Sequence, residues 1–303
     1  MIDQASALRA LVRDKTAHHS ELESLDLPDR PYTLAVTSGK GGVGKTSLAV
    51  NLSLLLGRIG RRVWLVDADF GLANAEVLLG IAPDFSIADV LNGKVDLADA
   101  WCDVDNGVKL LSSGSGLEDV ANIGGTEAVS LIRLVQEHAN PEDLVVVDIG
   151  PGIDGPVMPI LTIADEVVVV TTPEPTALTD SYALMKILFG HSAESNVTLV
   201  INCCESPSQA SSLASSLDSI CRKFLNNSFR RYEYMPMDES VGASIRLQKP
   251  IVATFRRSRV EPWLRRFAFK VDERVRARQY GARFPKLEIK NACCPGISPA
   301  STS

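Results

Sequence analysis

Nine consecutive residues, Gly-Lys-Gly-Gly-Val-Gly-Lys-Thr-Ser from Gly39 to Ser47, constrain this chain more than any other stretch. An apolar, strand-like run from Tyr32 to Thr37 precedes them and an apolar helical run follows. The pattern Gly39-x-x-x-x-Gly44-Lys45-Thr46 therefore sits in the strand, loop and helix context that a phosphate-binding loop requires. Glycine at 39, 41, 42 and 44 lets the backbone N–H groups of the loop, Val43 included, close around phosphate oxygens with no Cβ in the way, and supplies positive φ where the turn needs it. The helix that follows aims its positive N-terminus at the anion. Lys45 then brings a charge to the outer phosphates and the Thr46 hydroxyl a ligand for Mg²⁺, so the cofactors expected are ATP and Mg²⁺.

The rest of the chain is patterned to support such a loop. Short β-branched runs at Thr33–Thr37, Val63–Val66, Val108–Leu111, Leu144–Val147, Val167–Thr171, Val197–Ile201 and Tyr232–Met235 read as strands. Most are apolar without alternation, as strands covered on both faces are. Helical periods fill the intervals at Thr46–Gly57, Glu127–His138, Thr176–Leu188, Gln209–Phe224 and Pro262–Arg278. Alternating strands and helices predict an α/β fold of the P-loop NTPase type, a mostly parallel twisted sheet with helices on both faces. Residues 31–278 would form this domain. Before it, 1–30 would hold a short amphipathic helix (Ile2, Ala5, Leu8, Val12) and a polar tether; after it, 279–303 would be a basic, then disordered, tail.

Composition narrows the class further. Hydrophobic residues make up 45% and charged residues 22%, with no apolar run long enough for a membrane-spanning helix. The N-terminus opens acidic and polar, unlike a secretory signal, and the expected location is cytoplasmic, with a peripheral position on the inner membrane as the alternative. Cys102, Cys203, Cys204, Cys221, Cys293 and Cys294 include no C-x-x-C and suit neither a zinc site nor a disulfide framework. The net charge of −6 is uneven: Arg256 to Lys290 holds twelve Lys or Arg against four acids. An acidic body argues against broad DNA binding, while the basic end suits nucleic acid, anionic lipid, an acidic protein or simply solvent.

Three aspartates stand at strand ends, where open α/β sheets bind ligands. Asp67 would support Mg²⁺ through water or receive an incoming lysine, and Asp69 would orient or deprotonate the attacking water, unless one of them only caps the next helix. Asp148 closes an apolar strand and would hold Mg²⁺ indirectly, ahead of the flexible Gly150-Pro151-Gly152. For the base, the chain offers two candidates: Asn202, whose amide can both donate to and accept from adenine and is the better one, and the loop Pro236 to Asp238. Lys40 is not needed to hold a nucleotide in its own loop. It would reach the phosphates held by a second subunit, neutralising developing charge in trans as an arginine finger does.

A lysine directly after the first glycine resembles the variant loop of the MinD/ParA family of dimerising ATPases. Asp67-Ala-Asp-Phe-Gly-Leu-Ala-Asn-Ala-Glu-Val-Leu-Leu-Gly80, Ser113-Gly-Ser-Gly-Leu117 and Thr172-Pro-Glu-Pro-Thr-Ala-Leu-Thr-Asp-Ser-Tyr182 are similar to its FlhG (FleN, YlxH) branch, which limits flagellar number and placement. The resemblance spans about Tyr32 to Val275. It implies an ATP-dependent homodimer with Lys40 as the signature lysine, Lys45, Thr46 and Ser47 on phosphate and Mg²⁺, Asp69 on the water and Asn74 near the dimer seam. Asp3-Gln4-Ala5-Ser6-Ala7-Leu8-Arg9 resembles the branch's segment that activates an FlhF-type GTPase. Gln4 would then aid hydrolysis in the partner, with Asp3, Ala5, Leu8 and Arg9 in the docking segment. Flagellar basal-body switch proteins and a flagellar transcription regulator are further partners the resemblance implies. Membrane contact would need a C-terminal amphipathic helix, for which the Trp263, Leu264, Phe267, Ala268, Val271, Val275 stripe is the candidate, although a stripe at this spacing is more often core. The competing reading is a ParA-type DNA-partitioning ATPase.

Overall fold

Strands that are apolar on both sides have to be covered on both sides, and this organises the molecule. The computed structural model describes residues 30–70, 74–114, 123–153 and 155–280. The expectations for Asp3, Gln4, Ala5, Leu8 and Arg9, for Ser115 to Leu117 and for the tail from 281 onward fall outside those residues. β1 (Tyr32–Thr37) runs through the glycine loop into α1 (Lys45–Arg58), followed by β2 (Val63–Ala68), α2 (Ala75–Leu79), α3 (Ile87–Leu91), β3 (Cys102–Asp105), β4 (Val108–Leu111), α4 (Gly125–His138) and β5 (Leu144–Ile149). The second half comprises α5 (Val157–Ile163), β6 (Glu166–Thr171), α6 (Pro175–His191), β7 (Val197–Cys204), α7 (Pro207–Leu225), β8 (Arg231–Pro236), α8 (Glu239–Arg246), α9 (Ile251–Thr254) and α10 (Val260–Tyr280).

The strands make one eight-stranded sheet in the order β3-β4-β2-β5-β1-β6-β7-β8, parallel except for the β3/β4 pair. Side chains alternate between two separate cores. Ala35, Val145, Val147, Val167 and Val169 face the layer with α4 to α7, whereas Leu34, Val36, Val146, Val168 and Val170 face α1 and α10. β1 lies centrally between β5 and β6, so the glycine loop springs from the best-supported strand in the sheet.

Helix α1 is buried along nearly its whole length, not on one stripe, because α10 covers the side turned away from the sheet. Its interior polar groups are satisfied locally: Ser53 Oγ donates to the Ala49 carbonyl, and the Asn51 side chain donates to Ser47 O and accepts from Val252 N. The covering face of α10 is Trp263, Leu264, Phe267, Ala268, Val271 and Val275, all at most 3% exposed. The stripe is thus core, the commoner of the two readings of its spacing and not a lipid face, with Trp263 and Phe267 stacked at 5.2 Å between centroids. Among the described residues no helix is long and apolar enough to cross a membrane.

A buried charge cluster fastens α10 to the sheet. Glu166, fully buried on β6, accepts from Arg274 Nε (2.8 Å), Tyr32 Oη (3.0 Å) and Thr198 Oγ1 (2.6 Å). Breaking one side of such a pair strands a charge in low dielectric, so Arg274→Ala is expected to destabilise the fold by about 3–5 kcal/mol in urea unfolding. The double replacement Glu166→Gln, Arg274→Met should lose distinctly less, since no lone charge is left behind.

Candidate functional site

The loop glycines are fixed by what surrounds them. A Cβ on Gly39 would lie 2.3 Å from the Asp180 carbonyl carbon, so the loop seats directly on the α6 backbone. Gly42 and Gly44 have φ of 79° and 97°, values that glycine adopts without strain. Gly39→Ala is expected to push loop and helix apart, costing about 1–3 kcal/mol in thermal or urea unfolding. Gly41→Ala, where the nearest atom to a Cβ is 3.9 Å away, should be close to neutral in the same measurement.

No side chain caps α1, whose N-cap is Gly44, so its first amides open onto a cavity of about 860 Å³. Gly41, Gly42, Gly44, Lys45, Thr46 and Ser47 form one wall of that cavity, and Asp69, Phe70, Asn74 and Gly150 line it as well. Unsatisfied amides at a helix N-terminus facing a cavity are the elementary parts of an anion site.

Beneath the cavity the charges are organised around Lys45. Its Nζ lies 2.9 Å from Asp69 Oδ2 and 3.3 Å from Asp148 Oδ1, and the side chain is 7% exposed. Burial alone would lower its pKa, but the charges of Asp148 and Asp69 outweigh that and raise it. Asp67 and Asp148 are register partners on β2 and β5, both fully buried. Burial, then the Asp148 charge, pushes Asp67 up to about 7, against hydrogen bonds from the Ala75 and Asp69 amides. Burial also raises Asp148, although Lys45 opposes the shift.

The two candidate helix caps divide their roles. Asp67 accepts from the amides of Asp69, Asn74 and Ala75 and so anchors the start of α2. Asp69 instead points at Lys45, and a Cβ on Gly150 would come within 3.2 Å of its Oδ1. Gly150 therefore keeps the way to that carboxylate clear, a role the sequence pattern alone did not reveal. Among the described residues, Asp148 Oδ2 is buried without a hydrogen-bond partner, an unused acceptor beside the Lys45 ammonium. With the Thr46 hydroxyl in the wall above, these carboxylates suit a hard, water-carrying cation such as Mg²⁺.

Lys40 lies elsewhere. Its Nζ reaches Glu174 Oε2 (3.0 Å) and Thr176 Oγ1 (3.2 Å) at the start of α6, on the exposed rim of the loop and outside the cavity wall. Asn202 is nearly buried; its amide donates to Val43 O (2.8 Å) and accepts from Cys203 N (2.7 Å), so it braces the loop from the end of β7. Pro236 pairs with Cys204 at the neighbouring strand end. Asp238 caps α8, accepting from Ser240 N and Arg259 N, and its carboxylate is turned to the α8–α10 junction instead of the 860 Å³ cavity. Glu174 and Thr176, the partners of Lys40, lie in the Thr172 to Tyr182 segment that carries the family resemblance, but nothing in the sequence tied them to Lys40.

Comparisons with known proteins agree with this arrangement. The ParA family pattern, described as NUBPL iron-transfer P-loop NTPase, matches residues 31–271. The chain is 36% identical over 239 residues to the antiactivator FleN of Pseudomonas aeruginosa, covering 79% of this chain and 85% of that one. It is 40% identical over 154 residues to the flagellum site-determining protein YlxH of Helicobacter pylori, covering 51% and 52%. In fold it is similar to the septum site-determining protein MinD of Pyrococcus horikoshii complexed with Mg-ADP, with a TM-score of 0.69, 23% identity, and coverage of 82% of this chain and 98% of that one. A glycine loop on the central strand, a lysine clamped by two strand-end aspartates and a second lysine on the rim, together with these matches, make the chain a member of the MinD/ParA family of P-loop ATPases, related to FleN and YlxH.

Proposed function

We propose that this protein is an Mg²⁺-dependent ATPase switch that dimerises on ATP, regulates flagellar number and placement, and stimulates an FlhF-type GTPase. The observation that carries the switch is the division of labour between two lysines of one loop. Lys45 is buried and committed to the cavity, whereas Lys40 sits on the rim, held among the described residues by the exposed Glu174 and Thr176. Exposed pairs of that kind hold with about 0–1 kcal/mol. Lys40 is thus free to exchange its partner for the phosphates bound by a second copy, as the trans reading requires.

Within one copy, the α1 N-terminus and loop amides bind the phosphates and Lys45 leaves its carboxylates to neutralise their outer oxygens. Asp69, relieved of Lys45, positions the attacking water and accepts its proton. Bound through Thr46, with Asp67 and Asp148 behind it, Mg²⁺ would add neutralising charge at the β- and γ-phosphates. The flagellar role is supported by the likeness to FleN and YlxH, and the GTPase partner by the Asp3 to Arg9 segment.

The test is light scattering after size exclusion, with ATP and with ADP. Asp69→Ala is expected to retain ATP binding within a few-fold, to hydrolyse at least about 100-fold more slowly, and to accumulate as a stable dimer. A species that stays monomeric with ATP would remove the switch. A peptide of residues 1–12 that leaves the GTPase rate of an FlhF-type protein unchanged would remove the partner.

A further inference from the structure

The turn joining α9 to α10 reads Phe255-Arg256-Arg257-Ser258-Arg259 and borders a cavity of about 610 Å³ that shares no lining residue with the nucleotide cavity. Arg256, Arg257 and Arg259 are exposed, and none makes an ion pair among the described residues. Elsewhere α10 interleaves its charges, pairing Arg265 with Glu261, Arg274 with Glu166 and Arg276 with Asp272. Three guanidiniums within four residues repel one another, and the single carboxylate in this wall, Asp238, offsets only part of their charge. Asp238 is occupied by the amides of Ser240 (2.8 Å) and Arg259 (2.5 Å). Ser258 Oγ accepts from Glu261 N at 3.0 Å, which sets the positive end of the 21-residue α10 at the same point.

We propose that this corner is a second phosphoryl-binding site, taking a phosphate or pyrophosphate group that does not belong to the nucleotide in the Gly39–Ser47 loop. Planar guanidinium forks bind phosphate oxygens in pairs, which a lysine cannot do, and the turn offers three forks beside a helix N-terminus. Half-buried Phe255 gives the cavity an apolar wall for the remainder of the ligand. Helix α8 connects the two sites, since Ser240 near its start lines this cavity and Ile245 near its end lines the nucleotide cavity. The phosphoryl group is that of a soluble phosphorylated compound or of a lipid headgroup.

The full-length protein, its loop saturated with Mg²⁺ and ADP, is titrated with pyrophosphate by calorimetry and floated with vesicles of phosphatidylglycerol in phosphatidylcholine. The expected result is binding of at least one probe that weakens tenfold or more in Arg256→Ala, Arg257→Ala, recovers only in part in Arg256→Lys, Arg257→Lys, and is unchanged in Arg230→Ala at the opposite end of β8. ADP affinity and the melting temperature should stay as in the parent protein. Pyrophosphate binding without flotation supports the site with a soluble ligand; flotation lost in the double alanine variant supports it with a headgroup. Neither probe binding, or binding undiminished in the double alanine variant, overturns it.

Discussion

Lys45→Ala will weaken ATP binding by at least about 100-fold, because truncating one partner of a buried, hydrogen-bonded charge pair costs about 2–5 kcal/mol. The cost has a second part that a solvent-exposed lysine would not show. Lys45 is the cation that lies against Asp69 and Asp148, and Asp67 adds its charge from the adjacent strand end. Removing it leaves carboxylates facing one another in a buried site. Asp67 and Asp148, both already raised by burial, will be raised further, and the sign of the pH dependence follows. A carboxyl with a folded pKa above its unfolded value of about 4 costs stability as pH rises from that value to the folded one. Asp67 already sits at about 7, so this loss is spread between about pH 4 and 7 in the parent protein. In Lys45→Ala the loss should be larger and extend to higher pH, leaving the variant much closer to the parent at pH 5 than at pH 8. Equilibrium unfolding at both values measures it. Equal deficits at the two pH values would show that Lys45 does not hold the carboxylates in their charged form.

What the sequence disclosed and what it hid divide along physical lines. The glycine loop was legible because its signal is local: nine residues carry the spacing, the flanks and the chemistry. Most of the seven strands were legible because burial on both faces leaves an uninterrupted run, β8 being a partly exposed edge strand; β5 continues to Ile149 and β7 to Cys204, so Asp148 and Asn202 lie inside strands and not just beyond them. β3 was missed, since a four-residue edge strand with two exposed aspartates has no apolar run to show. So were α2, α3, α5, α8 and α9, each eight residues or fewer, too short for a helical period to emerge. The spacing of the Trp263 to Val275 stripe favoured protein over lipid without deciding between them. The answer lay in α1, which is apolar on the side away from the sheet as well. Contacts distant in sequence, such as Lys40 with Glu174 and Asn202 with Val43, left no trace in the spacing of either partner.

Replacing Lys40 by alanine should separate binding from switching, and its expected effect on turnover is the largest of any surface residue. Lys40 Nζ contributes no wall to the nucleotide cavity, and its exposed contacts to Glu174 and Thr176 hold little free energy. Folding and ATP binding by Lys40→Ala should therefore remain within a few-fold of the parent. A cation delivered in trans to a transferring phosphoryl group is worth about 10³–10⁵ in rate, and the ATP-dependent dimer and its hydrolysis are expected to fall accordingly. Arginine at the same place keeps the charge but needs more room at the seam, so Lys40→Arg should recover dimerisation in part without the full rate. Glu174→Gln provides the opposite perturbation: with the resting contact weakened, Lys40 is released more easily and the dimer should form at lower ATP concentration, by a factor of about 2–5 for the loss of one exposed pair. Light scattering and phosphate release on the same samples read both quantities. Should Lys40→Ala dimerise and hydrolyse like the parent, the lysine would have no duty beyond its own rim, and the ATP-dependent association would have to be driven by some other group at the mouth of the cavity.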